Sequence, residues 1–296
     1  MDIAKALSTL NTGAYLIPEV VEPAIRDYIG KEPRLLNLVN HIPWATNTYF
    51  IRKRQSQPTV TWSTDGAALP AAQNSTYAKV SKSVKYVYAR GEVTGPEQKA
   101  AGSLYDAMAL EVEAQSRALA MDLSKKIADG TGASNEIEGI IHQIGTDPSM
   151  NALDSDGAQN HGGADTDAAS AALTLAMLDE AIDAAEGEGD LIVTSRAVRR
   201  KINSLLQAQQ QFTDRVEVAA GFRVLTYDGL PIVTDLNSES DTELAIVRRA
   251  DCKLLVHQDW TFEPLAKTKD SDDFFIKGYF GFALEGRPVR LHGFTL

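Results

Sequence analysis

Seven Lys or Arg residues and one acid lie between Trp44 and Gly91, whereas residues 145–190 hold eleven acids and neither Lys nor Arg. The basic stretch carries Arg52, Lys53, Arg54, Lys79, Lys82, Lys85 and Arg90 against Asp65, and is otherwise rich in Thr, Ser, Val and Tyr. That mixture of β-branched and aromatic residues predicts long, exposed β structure. Too few large aliphatic residues are present to give it a core of its own. A basic arm on a chain of net charge −11 needs an acidic surface to lie on, its own or a neighbour's. Its length points to the neighbour, and so to assembly.

Composition narrows the class. At 296 residues the chain suffices for two domains or one large one with insertions, and 44% hydrophobic with 23% charged residues is a globular balance. No apolar run approaches the ~20 residues of a membrane span. The start, MDIAKALSTLNTG, lacks the basic-then-apolar order of a secretory signal. Cys252 is the only cysteine, which rules out an internal disulfide and suits a reducing compartment. Summed charge is −1 over 1–42, +6 over 43–90, −5 over 91–144, −11 over 145–190 and 0 over 191–296. A domain that reads DNA sequence normally presents a basic face on a basic domain. This distribution suits a protein that surrounds nucleic acid without gripping it.

Along the chain, two prolines limit AYLIPEVVEPAIRDYI (14–29) to a short helix begun at Pro23. The basic stretch predicts a two-limbed β finger: TNTYFIRKR and TVTWST outward, DGAALPAAQNS as loop, STYAKVSKSVKYVYARGEVT returning. Ser103 to Ala128 predicts a long helix with Leu104, Met108, Val112, Leu119, Leu123 and Ile127 on one face, Ser103 as N-cap and Gly130 as stop. Residues 145–170 predict a flexible surface loop. A mixed region follows: a helix over 175–185, a strand over 190–194, a helix over 196–210 capped by Ser195, then strands at 222–227, 231–234, 244–248 and 253–257. The tail predicts two strands turned at Glu285-Gly286-Arg287-Pro288.

Candidate chemistry is sparse. Gly130-Thr131-Gly132 resembles half a nucleotide loop, but follows a helix where such loops join strand to helix, and GxGxxG fails at Asn135. A helix stop and turn is the better reading. The five histidines (41, 142, 161, 257 and 292) show no metal-ligand spacing, and Asp154-Ser155-Asp156-Gly157 lacks the further ligands of a calcium loop. Ser195 stands at a strand-to-helix junction without GxSxG, so capping explains it. Cys252 is a half-buried structural thiol on this reading, and Arg199-Arg200-Lys201 a solvated helix face with subunit contact as the second reading.

The order of parts resembles the major capsid proteins of tailed bacteriophages, the Hong Kong 97-like fold, an α+β class. The resemblance spans essentially the whole chain and rests on TGAYLIPEVVEPAI, YARGEVTGPEQ, ADGTGASNEIEGII and the pair DLIVTSRAVRRKIN and GLPIVTDLN. It implies an N-terminal arm leading into the peripheral domain (1–42), an extended β loop over the adjacent subunit (43–90), and the peripheral domain with its spine helix (91–139). An axial domain (140–262) and return strands of the peripheral domain (263–296) complete the scheme. It implies pentamers and hexamers closing an icosahedral shell around double-stranded DNA that is not specifically bound. A separate scaffolding protein and a portal are the expected partners, in a virion assembled in host cytoplasm, with no membrane, cofactor, metal or catalytic residue. The type member crosslinks a loop Lys to a peripheral-domain Asn; no Asn follows Asn237 here, so that chemistry is not carried over. Arg52, Lys53, Arg54, Lys79, Lys82 and Lys85 are the expected inter-subunit contacts, with acids of 145–190 or of the helix (Asp106, Glu111, Glu113, Asp122) as candidate receivers. The finger is expected not to pack on its own chain. The rival readings are an encapsulin-type shell enclosing protein cargo and a small enzyme using the strand end Leu191–Ser195.

Overall fold

The computed structural model describes residues 34–66, 68, 71–101, 107–147, 150–154, 159–160, 171–208, 215–217, 223–234, 242–267 and 269–296. The expected arm helix at Pro23 and the Ser103 cap lie outside them. In chain order, α1 (Arg34–Leu38) and β1 (Asn40–Pro43) precede the finger strands β2 (Thr48–Ser56) and β3 (Thr76–Ser83). Next come β4 (Lys85–Thr94), α2 (Gly95–Ala101), the long α3 (Ala107–Asp129) and α4 (Ile140–Thr146). The mixed region holds β5 (Asn151–Asp154), β6 (Gln159–Asn160), α5 (Leu175–Ala184), β7 (Leu191–Thr194) and α6 (Arg196–Ala208). It continues through β8 (Arg215–Glu217), β9 (Arg223–Tyr227), β10 (Leu230–Thr234) and β11 (Leu244–Val247). The chain ends with β12 (Cys252–Pro264), β13 (Ser271–Leu284) and β14 (Val289–His292).

The chain divides into two compact units. Of one, the described residues are Tyr88–Leu119 and Trp260–Lys277, less 102–106 and 268. Its packing centres on Phe274, fully buried and stacked on Phe262 at 5.4 Å. Gly91 crosses Phe274 so closely that a Cβ there would lie 2.3 Å from its Cζ. Arg90 pairs with Asp273 at 2.6 Å, and the Gly95 N–H donates to the Asp270 carbonyl at 3.0 Å.

Of the other, the described residues are those within Pro33–Val87, Ala120–Asp259 and Gly278–Leu296. Its eight-stranded mixed sheet has the order β6-β5-β14-β11-β7-β10-β9-β8. LIVT of β7 and LAIV of β11 are buried at every position, as uninterrupted apolar runs predict for central strands. Helix α5 contributes Leu175, Leu178 and Ala181, and α6 contributes Val198, Ile202 and Leu206, to one cluster with Ile192, Ile232 and Ile246. The 3.6-residue period puts each trio on a single helix face.

Helix α3 runs 23 residues, about 35 Å at ~1.5 Å per residue. Leu119, Leu123 and Ile127 form its buried stripe, and Met108 and Val112 are half-buried. The helix ends where the Gly130 N–H meets the Lys126 carbonyl at 3.0 Å. A Cβ at Gly130 would sit 2.3 Å from the Ile137 carbonyl oxygen, so this stop needs glycine.

Two expectations need correction, and the tail one holds. TVTWST forms no strand: residues 57–66 are exposed coil, because nothing on the described chain pairs with them. Within the expected loop 145–170, β5 pairs in parallel with β14, Asn151 opposite Val289 through Asp154 opposite His292, which buries Ala152 and Leu153. Sequence periodicity cannot show a strand whose partner lies well over a hundred residues away. The tail turn lies between the two expected strands, with Gly286 at φ +73°. It passes the chain from β13, in a four-stranded sheet ordered β1-β12-β13-β4, to β14 in the eight-stranded one.

Candidate assembly interface

The finger strands pair antiparallel, with Ile51 opposite Val80, Arg52 opposite Lys79, and Arg54 opposite Tyr77. Side chains of a strand alternate between faces, so this register sorts the finger into two surfaces. One carries Tyr49, Ile51, Lys53, Ala78, Val80 and Lys82; the other carries Phe50, Arg52, Arg54, Tyr77 and Lys79.

The first face packs on its own chain, contrary to the expectation that the finger would not. Ile51 is 6% exposed and clusters with Leu255 and Ala283, with Trp44, Tyr49 and Val80 against them. Lys53 Nζ reaches Asp147 Oδ2 at 2.7 Å, and Lys82 pairs with Glu138. Both ammonium side chains are nearly covered, at 11% and 12% exposure. Glu138 also meets His142 Nδ1 at 3.0 Å and the Thr146 hydroxyl at 3.2 Å. Burial pushes the Glu138 carboxyl upward, but the Lys82 ammonium with the His142 and Thr146 hydrogen bonds outweighs it and holds the group below its usual range. Such half-buried pairs fall between the ~0–1 kcal/mol of exposed ones and the ~3–5 kcal/mol cost of breaking a fully buried one. Tyr49 adds a third tether, its hydroxyl donating to Glu285 Oε1 at 2.6 Å while Lys253 pairs with the same carboxylate.

Glu138 and Asp147 flank α4, so the finger root stands on a short helical platform. Gln143, fully buried, fixes that platform. Its amide nitrogen donates to the carbonyls of Glu138 (2.6 Å) and Phe282 (3.2 Å), and its oxygen accepts from the Leu284 N–H (3.2 Å).

The second face points to solvent. Lys79 Nζ sits 3.6 Å from the Phe50 ring centroid, and the Arg54 guanidinium 5.9 Å from that of Tyr77. Phe50 and Tyr77 stay 49% and 68% exposed. Arg52 makes no ion pair among the described residues, nor does half-buried Lys85 at the start of β4. The six cations nominated from sequence thus separate: Lys53 and Lys82 turn inward, Arg52, Arg54 and Lys79 outward, and Lys85 lies beyond the hairpin. Sequence reasoning missed Glu138, and it missed the aromatic partners Phe50 and Tyr77, whose signal was their i, i+2 alternation with the cations.

The other candidates resolve into structural roles. At Gly130-Thr131-Gly132, the backbone N–H that a phosphate would need is taken: Thr131 N and Oγ1 donate to Glu136 Oε1 at 2.9 and 2.6 Å, and Lys126 pairs with the same carboxylate. Hydrogen bonds from Lys126 and then Thr131 lower the Glu136 pKa to about 2 from the ordinary 4.5. A depressed carboxylate stabilises the fold fully above pH 4.5 and loses that contribution as pH falls towards 2. Glu136→Gln should therefore flatten the acid limb of a stability-versus-pH curve between those values; an unchanged limb would refute the coupling. Ser195 Oγ accepts from the Val198 N–H at 3.3 Å, capping α6 as expected. Cys252 is 2% exposed, more buried than expected, and desolvation, then Asp190 and Asp251, push its thiol up to about 12. A shallow groove of about 560 Å³ has Arg249 and His41 as its ionisable lining, and His41 Nε2 is bonded to the Leu36 carbonyl at 2.9 Å. Among the described residues no cluster of His, Cys, Asp and Glu could hold a metal, and no helix is long and apolar enough to cross a membrane.

A sequence model of the SU10 major capsid protein family matches residues 10–292. No curated protein matches by sequence. Among solved structures, the cyanophage A-1(L) capsid protein is similar at TM-score 0.69 and 14% identity, over 95% of this chain and 99% of that one. The capsid of the native GTA particle gives 0.68 and 12%, over 96% and 98%. The holo-SrpI encapsulin complex from Synechococcus elongatus PCC 7942 gives 0.69 and 10%, over 99% and 95%.

Proposed function

The chain belongs to the SU10 major capsid protein family, and on that premise we propose that its finger reaches over a second copy to build a closed shell. It is a structural protein of a phage capsid and has the Hong Kong 97-like fold. The observation that carries the finger's role is its division into a face anchored on its own chain and a cationic, aromatic face left open. A root held by Lys53, Lys82 and Tyr49 presents the open face in a set direction, which lowers the ordering cost of contact.

In this reading copies join as pentamers and hexamers into an icosahedral shell, formed in host cytoplasm, with no catalytic role. Residues 43–90 are the extended loop, 91–139 and 263–296 the peripheral domain behind an arm at 1–42, and 140–262 the axial domain. Scaffolding and portal proteins are separate partners. The contents are double-stranded DNA held without specific binding, because a strongly basic lining would make each phosphate contact a salt-sensitive obstacle to a moving polymer. The encapsulin alternative draws on the SrpI likeness, which at 10% identity speaks to fold alone. The test is electron microscopy of purified subunits, alone and with scaffolding protein, together with analysis of what the shells contain. Closed shells with five- and six-fold capsomers are expected. Subunits that stay monomeric at every concentration would overturn the reading, and shells specifically loaded with a tailed protein cargo would favour the alternative.

A further inference from the structure

Strand β1 stands at the edge of the four-stranded sheet, paired in parallel with β12 from Asn40 opposite Lys253 to Pro43 opposite Val256. Just past it, the Trp44 N–H bonds to the Val256 carbonyl at 2.9 Å. In a parallel ladder alternate residues turn their main-chain groups to the same neighbour, so those of Ile42 and Asn40 also face β12. The N–H and C=O of His41 and the C=O of Pro43 face the other way, where no described strand pairs with them. Pro43 has no N–H and ends the open edge, which therefore has room for one short extended segment.

The groove of about 560 Å³ is lined by Asn40 and His41 of this same strand. Leu38 and Val39, 4% and 7% exposed, give it an apolar part, and Asn37 adds a second amide. No Asp or Glu lines it, on a chain of net charge −11. Its permanent cation is Arg249. The Arg249 backbone N–H donates to Asp190 Oδ1 at 2.8 Å, which fixes the main chain there. Its guanidinium makes no ion pair among the described residues, and Nε is buried without a hydrogen-bond partner. A partly desolvated, unpaired guanidinium is a costly group to leave without an anion. The His41 ring is held as well, Nε2 donating to the Leu36 carbonyl at 2.9 Å.

We propose that this groove docks an extended acidic peptide segment of a separate partner protein, its main chain added to β1 at His41 and a carboxylate against Arg249. The inference uses no residue of the finger and goes beyond the shell-forming role. Added strands gain affinity from main-chain hydrogen bonds and selectivity from alternate side chains. Here His41 offers one main-chain donor and one acceptor, Leu38 and Val39 receive an apolar side chain, and the guanidinium receives a carboxylate on both its nitrogens. The volume lies within the ~300–1,000 Å³ of sites that hold a ligand of several residues' bulk. A phosphate backbone is gripped by many cations at once, and a single guanidinium beside apolar lining is not such a surface. The partner is a separate chain because the described residues offer no extended acidic segment: the exposed coil at 57–66 holds Asp65 alone.

Fluorescence anisotropy of the unassembled full chain with a labelled Thr-Val-Glu-Val-Asp peptide, amidated at its end, tests this. The same peptide with Gln and Asn for Glu and Asp is the control. The acidic peptide should bind, and less well as salt rises. The neutral peptide, and the acidic one on Arg249→Gln chain, should each bind about tenfold or more weakly, as loss of a charge-assisted pair does. His41→Pro should weaken binding beyond His41→Ala, because only proline removes the outward N–H; melting curves check that each variant folds. On the wild-type chain, amide exchange over residues 37–43 should slow with the acidic peptide and not with the neutral one. No binding at millimolar peptide, equal binding of the two peptides, or an Arg249→Gln chain that binds as the parent does would each overturn the proposal. So would three reassignments of the occupant. Displacement of the peptide by duplex DNA makes it nucleic acid, and displacement by inorganic phosphate where chloride has no effect makes it a small anion. A rise in the concentration at which Arg249→Gln forms shells makes it a second copy. Whether wild-type chains form shells is scored separately, so this inference and the capsid reading fail independently.

Discussion

Reversing Arg52, Arg54 and Lys79 to Glu leaves the subunit folded and sharply reduces its entry into shells. The three side chains share the outward face of the finger and none of them meets an acid of the described chain. Their removal therefore costs the free subunit little beyond two exposed cation–aromatic contacts, each worth about 0.5–1 kcal/mol. On the proposed function the same face meets a neighbour in the shell. Exposed pairs contribute about 0–1 kcal/mol each, so losing three amounts to as much as about 3 kcal/mol per contact, up to roughly 150-fold in association. The defect should be greatest in dilute salt, because the Debye length is already ~10 Å at 0.1 M. Lys53→Ala and Lys82→Ala serve as the contrast: they take the cation from half-buried Asp147 and Glu138, so they should lower the subunit's own melting temperature. Sedimentation against salt concentration, beside thermal melts, separates the two classes. Shells forming from the triple reversal with wild-type yield and salt tolerance would show that the outward face is merely solvated.

The largest loss of fold stability is expected at Gln143. Its side chain is fully buried and joins α4 to the end of β13 through three hydrogen bonds. Gln143→Ala leaves the Leu284 N–H and the carbonyls of Glu138 and Phe282 short of partners at a buried position, and opens a small cavity. Unsatisfied buried groups cost about 1–3 kcal/mol each before relaxation, so a net loss of about 3–5 kcal/mol is expected. Gln143→Leu restores volume but not the bonds, and should remain at least about 2 kcal/mol less stable than wild type. Denaturant unfolding measures both. A Leu variant as stable as the parent would mean that Gln143 acts by filling space. Because Gln143 lies between Glu138 and Asp147, the Ala variant should also expose Lys53 and Lys82 to faster chemical modification.

Local signals carried much of the fold. The helix stripe at Leu119, Leu123 and Ile127, the stop at Gly130, the cap at Ser195 and the apolar runs of β7 and β11 all depend on residues within a few positions of one another. Elements that depend on distant partners were misread. MNALD looked like part of an acidic loop until β14 supplied its ladder, and TVTWST looked like a strand although the described chain offers it no edge. Both errors share one cause: a strand is a property of two segments, and sequence shows one at a time.

The interface divides along the same line. Sequence alone determined that the finger is basic, that it lacks a core, and that alternate residues share a face, because charge and the two-residue period are local facts. Only the tertiary structure decided which face meets its own chain. Asp147 and Glu138, which draw Lys53 and Lys82 inward, lie 94 and 56 residues further along, brought beside the finger by the turn at Gly130 and the platform of α4. With those two cations held, Arg52, Arg54 and Lys79 are turned outward by the pleat, a consequence that no local pattern contains.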